Sequence, residues 1–194
     1  LIIEPTVGGW GACKGHDGQV GLFCVGDGET YNVPVEMAET RYGIRVDEHS
    51  LHTDGAGAGE YRGGSGAVRV YRSMNENQTF TASFGRNKWP VWGAAGGKDG
   101  SVNYFQFIDA DGTVSEPMGI AARRVMNTND VVRMVTATGG GYGNPFKRPA
   151  EKVAMDVKNE YITVEQAKAD YGVLVDPETF KVLGLTEERQ KAEK

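Results

Sequence analysis

Two cations and two tryptophans fall close together in Arg86-Asn87-Lys88-Trp89-Pro90-Val91-Trp92-Gly93. Guanidinium and ammonium groups beside indole faces can bind an anion or a ring through cation–π contact. The same composition also packs tryptophans into an interface. A second pairing lies upstream, where Glu36 and Glu39 flank Met37-Ala38 at helical spacing after Asn32-Val33-Pro34-Val35. That spacing presents two carboxylates on one helix face, as acid–base chemistry would require. On pattern alone a solvated face is the favoured reading of that pair.

Other chemistries fail on spacing. Gly97-Lys98 invites a phosphate loop, but Trp92 stands where the first glycine belongs and Asp99 where a hydroxyl would meet magnesium. A dinucleotide fingerprint at Gly139 and Gly141 has Asn144 in place of its third glycine, and a turn follows instead of a long helix. The histidines are His16, His49 and His52; on a strand, His49 and His52 point to opposite faces, so they read as surface residues and not as metal ligands. Asp109-Ala110-Asp111-Gly112 opens like a calcium loop but lacks the later glutamate, and a hairpin turn explains it. Ser65 in Gly64-Ser65-Gly66 is too tightly framed for a nucleophile elbow. Cys13 and Cys24 fit no zinc spacing and read as reduced, buried thiols.

The elements that must position these residues are set by glycine. It accounts for 28 of 194 residues, in clusters that bound apolar runs: 8–11, 15–18, 55–59, 63–66, 93–97 and 139–143. Glycine allows tight turns and close backbone approach at a cost in helix and strand interiors, so a helical bundle is excluded. Strand patterns cover Val20–Val25 (closed by Gly26-Asp27-Gly28), Tyr42–Val46, Ala67–Arg72, Thr79–Phe84, Tyr104–Ile108 with a hairpin at Gly112, and Val131–Val135. Helix is expected only late. Pro149–Val157 carries one apolar face, Thr163-Val164-Glu165-Gln166 is a capping box whose helix Gly172 stops, and the charged tail from Thr186 is expected to fray. The fold class is therefore α+β, predominantly β. A glycine-rich β body spans 1–146, and a short helical C-terminal appendage with its tail spans 147–194.

A net charge of −5 without a basic stripe argues against nucleic acid. No apolar run is long enough to span a bilayer and no signal peptide is present, so a cytoplasmic protein is expected. Leu1-Ile2-Ile3 opens the chain on an apolar edge without a methionine. This suggests part of a longer polypeptide, or a subunit whose first strand a partner covers.

In this order the clusters resemble the C-terminal portion of the hydantoinase B/oxoprolinase family. The resemblance is carried by Gly8-Gly9-Trp10-Gly11-Ala12 with Asp17-Gly18, Asn32-Val33-Pro34-Val35-Glu36 with Glu39, and Arg41-Tyr42-Gly43-Ile44-Arg45-Val46. It continues through Gly57–Gly66, Arg86 to Gly93, Gly96-Gly97-Lys98, Asp130-Val131-Val132, Gly139–Pro145 and Asp170-Tyr171-Gly172-Val173. His16 departs where a basic residue is usual. Gly43 departs where proline is common, a change expected only to loosen a turn.

The resemblance implies a B-type subunit working with a hydantoinase A-type subunit and the N-terminal part of the B-type subunit. The implied reaction is ATP-dependent hydrolytic opening of a cyclic amide such as a hydantoin, 5-oxoproline or a lactam. Phosphorylation of the amide oxygen would make the carbonyl carbon a better electrophile. ATP and a divalent metal are implied for the whole complex and neither for this chain alone, which is expected to be inactive by itself. Substrate-contact residues implied are Gly9, Trp10, Asp17, Asn32, Glu36, Arg86, Lys88 and Trp92; no catalytic residue is identified. The alternatives are a subunit of an ATP-dependent ketone carboxylase of the acetone or acetophenone type, and a non-catalytic scaffold module.

Overall fold

The computed structural model describes residues 3–22 and 32–192. Helix α1 (Val35–Tyr42) follows Pro34, carries Glu36 in its first turn and Arg41 in its last, and ends at Gly43 with φ 62. These charges complement the helix dipole, and the left-handed residue stops the helix. The expectation of helix only late is thus corrected. Gly43 does more than loosen a turn, because proline cannot reach a positive φ.

Strands β1 (Ile44–His52), β2 (Gly66–Ser73), β3 (Gln78–Ser83), β4 (Tyr104–Ile108), β5 (Ile120–Met126) and β6 (Val131–Val135) form two antiparallel sheets, ordered β1-β2-β6-β4 and β3-β5. The sheets pack through Phe105, Phe107, Val132 and Met134 on one side and Phe80, Ala82 and Met126 on the other. Phe80 lies edge-on to Phe105 and Phe107 at 5.7 and 5.6 Å between ring centroids, a geometry that adds about 0.5–1.5 kcal/mol beyond area burial. The expected hairpin after β4 is present: Gly112 has φ 89 and Asp109 N–H donates to Thr113 O at 2.9 Å. The pattern does not predict β5, where Arg123 sits at φ 54 and breaks the alternation.

Strand β6 runs on into Thr136–Gly143, buried almost throughout, and here the glycine clusters converge. Gly139, Gly140 and Gly141 face three different neighbours. A Cβ on each would stand 1.9 Å from Trp10 O, 2.3 Å from Trp92 O and 2.3 Å from Ala58 O. Successive residues turning to three sides is the geometry of a polyproline II helix, whose crowded axis admits only glycine in assembled bundles. The surrounding segments are tied to it by main-chain hydrogen bonds: Gly139 N to Gly64 O, Gly57 N to Gly139 O, Ala12 N to Gly140 O, Ala94 N to Gly141 O and Gly141 N to Lys98 O, all 2.8–2.9 Å. Backbone thus replaces side chains as the packing material, and its buried polar groups are paired as burial requires.

The C-terminal segment adds a 3-10 turn at Pro145–Lys147, α2 (Ala150–Lys158), α3 (Val164–Tyr171), β7 (Val173–Val175), β8 (Val182–Leu185) and α4 (Glu187–Ala192). The capping box is formed in both directions between Thr163 and Gln166, and Gly172 closes α3 at φ 64. Its core joins Val153, Ala154, Val157, Ala167, Tyr171 and Val173 with Ala58 of the bundle. Two expectations are corrected. The appendage includes a β-hairpin, β7–β8, and the tail is a docked helix whose Arg189 is buried, donating to Tyr171 O and Arg148 O at 2.9 and 2.8 Å.

Cys13 is exposed, not buried, beside Gly15 at φ 94 in a tight turn closed by Cys13–His16 main-chain bonds. Cys24, Gly26-Asp27-Gly28 and the second half of the expected strand Val20–Val25 lie outside the described residues, as do Leu1 and Ile2. Within them, Leu22 and Gly8 exchange main-chain bonds at 3.1 Å.

Candidate functional site

The loop Arg86–Gly93 is held from below. Asn103 donates through Nδ2 to Gly85 O (2.6 Å) and through its main-chain N–H to Arg86 O (3.1 Å), while its Oδ1 accepts from Ala137 N (2.6 Å). One side chain therefore joins the loop to the central strand of the bundle. At the far end Gly100 N donates to Val91 O at 2.8 Å, and Asp99 Oδ1 accepts from Gly93 N at 2.7 Å. Arg86 adopts φ 51, a conformation that costs a non-glycine residue energy and persists only where surroundings enforce it. Its guanidinium lies 5.2 Å from the Trp92 ring centroid. Trp10 lies on an adjoining extended segment of the same bundle, with Gly139 against its carbonyl and Gly140 against that of Trp92. Trp10 and Trp92 are 42% and 68% exposed, so both indoles face outward from a rigid base.

Of the sequence-derived contact residues, the structure gathers Arg86, Lys88 and Trp92 on one loop and sets Trp10 on a segment that flanks the same central glycine run. The others lie apart. Gly9 is packing material, since a Cβ there would meet Gly64 O at 2.1 Å. Asn32 Nδ2 donates to Pro5 O at 2.9 Å, and the next amide, Val33 N, donates to Glu4 Oε1 at 2.9 Å, so this stretch clamps the segment around Glu4. Glu36 is exposed on α1, and Glu39 Oε1 accepts from Val46 N at 2.9 Å.

Asp17 is an ion-pair partner within the fold. Arg148, 2% exposed, donates Nη1 to Asp17 Oδ1 (2.7 Å), Nη2 to Asp17 Oδ2 (2.9 Å), Nε to Asp156 Oδ2 (2.9 Å) and Nη1 to Glu60 O (3.0 Å). Burial pushes the Asp17 carboxyl up, but the Arg148 guanidinium and the Arg62 amide outweigh it and hold Asp17 below the usual carboxylate range. Asp156 is more enclosed, and burial raises its carboxyl against the pull of Arg148 and Arg62. Arg62 stacks over Tyr161 at 4.4 Å and donates to Gly63 O at 2.7 Å.

Sequence reasoning missed Arg148 because nothing local distinguishes it. It also missed a second buried cluster, in which Glu4 pairs with Arg69 (3.2 Å) and accepts from the Tyr71 hydroxyl. Burial and Arg69 lower the His49 imidazole pKa, against the opposing charge of Glu4.

The glycine clusters do not suit a nucleotide phosphate. The amides of Gly57, Gly63, Gly64, Gly139 and Gly141 are engaged within the bundle, and the space beside them is filled by backbone. Anion loops need such amides free and converging. Among the described residues no group of three His, Cys, Asp or Glu side chains is placed to hold a metal ion, and no helix is long and apolar enough to cross a membrane.

A sequence profile of the family Hydantoinase B/oxoprolinase matches residues 1–145. A candidate B-type subunit of a D-/L-hydantoinase from Pseudomonas sp. (strain NS671) is 31% identical over 176 residues, covering 90% of this chain and 29% of that protein. The beta subunit of the caprolactamase of Pseudomonas jessenii is 29% identical over 194 residues, covering 91% of this chain and 31% of that protein. The crystal structure of the ATP-dependent caprolactamase from P. jessenii superposes with TM-score 0.75 at 29% identity, over 96% of this chain and 32% of that one. A nucleotide-free acetone carboxylase structure superposes with TM-score 0.75 at 18% identity, over 96% of this chain and 29% of that one, and so shares the fold. The chain spans less than a third of the length of each of these relatives.

Proposed function

The chain belongs to the hydantoinase B/oxoprolinase family, and from that premise we propose that it forms the glycine-bundle wall of a B-type subunit in an ATP-dependent enzyme that opens cyclic amides by hydrolysis. The observation that carries this reading is Arg86 stacked on the exposed Trp92, with exposed Trp10 on a neighbouring segment of the same tightly packed bundle. Flat indoles suit the faces of a small planar ring, and a guanidinium suits its carbonyl oxygen or the negative charge that develops there. Residues 147–194 act as an appendage that Arg148 fastens to the bundle.

A small-molecule site is concave and largely enclosed, whereas this face is open. Other polypeptide surface therefore completes the site, and an A-type companion subunit together with the remainder of the B-type subunit supplies ATP, a divalent metal and the catalytic groups. Gly9, Asp17 and Asn32 serve by holding the wall in place. The fold is shared with a ketone carboxylase, so fold does not choose between the two reactions. Higher sequence identity to the caprolactamase and hydantoinase-type subunits favours hydrolysis.

The test is substitution of Trp10, Arg86 and Trp92 singly by alanine in the assembled enzyme. The reading expects KM for the cyclic amide to rise or kcat to fall by about tenfold or more for at least one of them, with the complex intact. Unchanged kinetics in all three would leave a scaffold role alone.

A further inference from the structure

In extended backbone, successive carbonyls point to opposite sides. Gly85 O and Arg86 O are successive carbonyls, yet both turn to Asn103, whose Nδ2 donates to the first at 2.6 Å and whose main-chain N–H donates to the second at 3.1 Å. The φ of 51 at Arg86 brings them to one side, because helical conformations of either hand align neighbouring carbonyls. The same turn of the chain carries the Arg86 guanidinium to 5.2 Å from the Trp92 ring centroid. A cation over an exposed ring is weakly held by that contact alone. The backbone must therefore fix the pair, and Asn103 fixes the backbone.

Asn103 can do this because it is anchored in turn. The ladder between β4 and β6 ends at Tyr104 and Val135. Beyond that point side chains continue it. Ala137 N donates to Asn103 Oδ1 at 2.6 Å, Thr138 N donates to Ser101 Oγ at 2.9 Å, and Ser101 N donates to Thr138 Oγ1 at 2.9 Å. Ala137 and Thr138 are buried, and Gly100 N holds Val91 O, beside Trp92, at 2.8 Å. Both ends of the Arg86–Trp92 loop thus hang from residues 100–103. The residue type matters, since an amide offers a donor and an acceptor on one short side chain. Aspartate would keep the bond from Ala137 N but set an oxygen without a proton against Gly85 O.

We propose that Asn103 is a positioning residue of the wall, which holds Arg86 in its left-handed conformation and so keeps the guanidinium on Trp92. The inference rests on the preceding reading only for the use of Arg86 in turnover.

The test uses the assembled enzyme, with N103D, R86A, the double variant and S101A compared with wild type. N103S, neutral and too short to reach both partners, separates lost hydrogen bonds from added charge and serves where N103D does not fold. Fluorine NMR on enzyme carrying 5-fluorotryptophan, with W92F assigning the signal, reports the Arg86–Trp92 contact without any turnover. The Trp92 signal in N103D and N103S should move toward its position in R86A, and S101A should leave it in place. With caprolactam, hydantoin or 5-oxoproline, kcat/KM should fall by about tenfold or more in N103D, with the same division between kcat and KM as in R86A. Adding N103D to R86A should cost nothing further, because a residue that acts through Arg86 has no effect once Arg86 is gone. A purely structural role would instead give equal losses in both backgrounds and make S101A resemble N103D. Either result, or a Trp92 signal unmoved in N103D and N103S, overturns the proposal. Wild-type kinetics in R86A together with a shifted Trp92 signal in N103D would sustain the positioning role and refute the use of Arg86 in turnover.

Discussion

Arg148 and Asp17 face each other in a two-pronged ion pair, Nη1 to Oδ1 at 2.7 Å and Nη2 to Oδ2 at 2.9 Å, across 131 positions of sequence. The pair fastens the C-terminal segment to the turn that follows Trp10. Asp17 Oδ1 also accepts from Arg62 N, and Arg189 donates to the Arg148 carbonyl. Removing Arg148 would leave Asp156 enclosed with only Arg62 near it, at 3.6 Å. R148A is expected to destabilise the chain by about 3–5 kcal/mol, as for other broken buried pairs. Lysine cannot reproduce the fork, so R148K should recover little of this. Chemical denaturation of both variants measures it.

The same pair makes stability depend on acid. The folded chain holds the Asp17 carboxyl below the usual range, so its ionised form favours the fold. That stabilisation is present above the unfolded value of about 3.9 and is lost as pH falls through the lower folded value. Wild type should therefore lose more stability than D17N on acidification from about pH 5 to pH 3. Denaturation midpoints along that series check it; parallel curves would remove Asp17 from the account.

Gly139→Ala tests the bundle. Its new methyl would sit 1.9 Å from Trp10 O, a backbone atom that cannot swing aside. The cost should exceed about 4 kcal/mol, a range reached only by specific structural damage. Gly112→Ala meets nothing within 4 Å but sits at φ 89, so it should cost about 1–2 kcal/mol from backbone strain alone. Equal losses in the two variants would argue against close backbone packing.

Thr163→Ala removes one half of a capping box whose two hydrogen bonds are 3.1 and 2.8 Å. It should cost about 1 kcal/mol, and Thr163→Ser should restore most of that. Thermal unfolding of the three proteins is the measurement.

Local signals explain which elements could be read from sequence. Pro149, the Thr163–Gln166 pair and Gly172 mark α2 and α3 because caps act within a few residues. β2 and β4 alternate visibly, whereas β5 hides behind Arg123 in a left-handed conformation and β7 is only Val173–Val175. The glycine clusters were evident, but not that they pack on one another, since hydrogen bonds such as Gly57 N to Gly139 O join distant positions without a fixed repeat. The run Gly139-Gly140-Gly141 was the available sign, being a stretch with no side chain to place on any side. Of the site, the Arg86–Trp92 loop was legible from composition. Arg148 was not, because a lone arginine carries no mark of a partner far away in sequence.

The central claim is hydrolysis of a cyclic amide by an enzyme to which this chain contributes a wall. The most direct measurement incubates the assembled enzyme with hydantoin, 5-oxoproline or caprolactam, and separately with acetone or acetophenone, with and without ATP and bicarbonate. The account predicts a ring-opened acid from at least one amide, formed only with ATP and without need of bicarbonate. A carboxylated ketone formed only when bicarbonate is supplied, with every ring left intact, would contradict it.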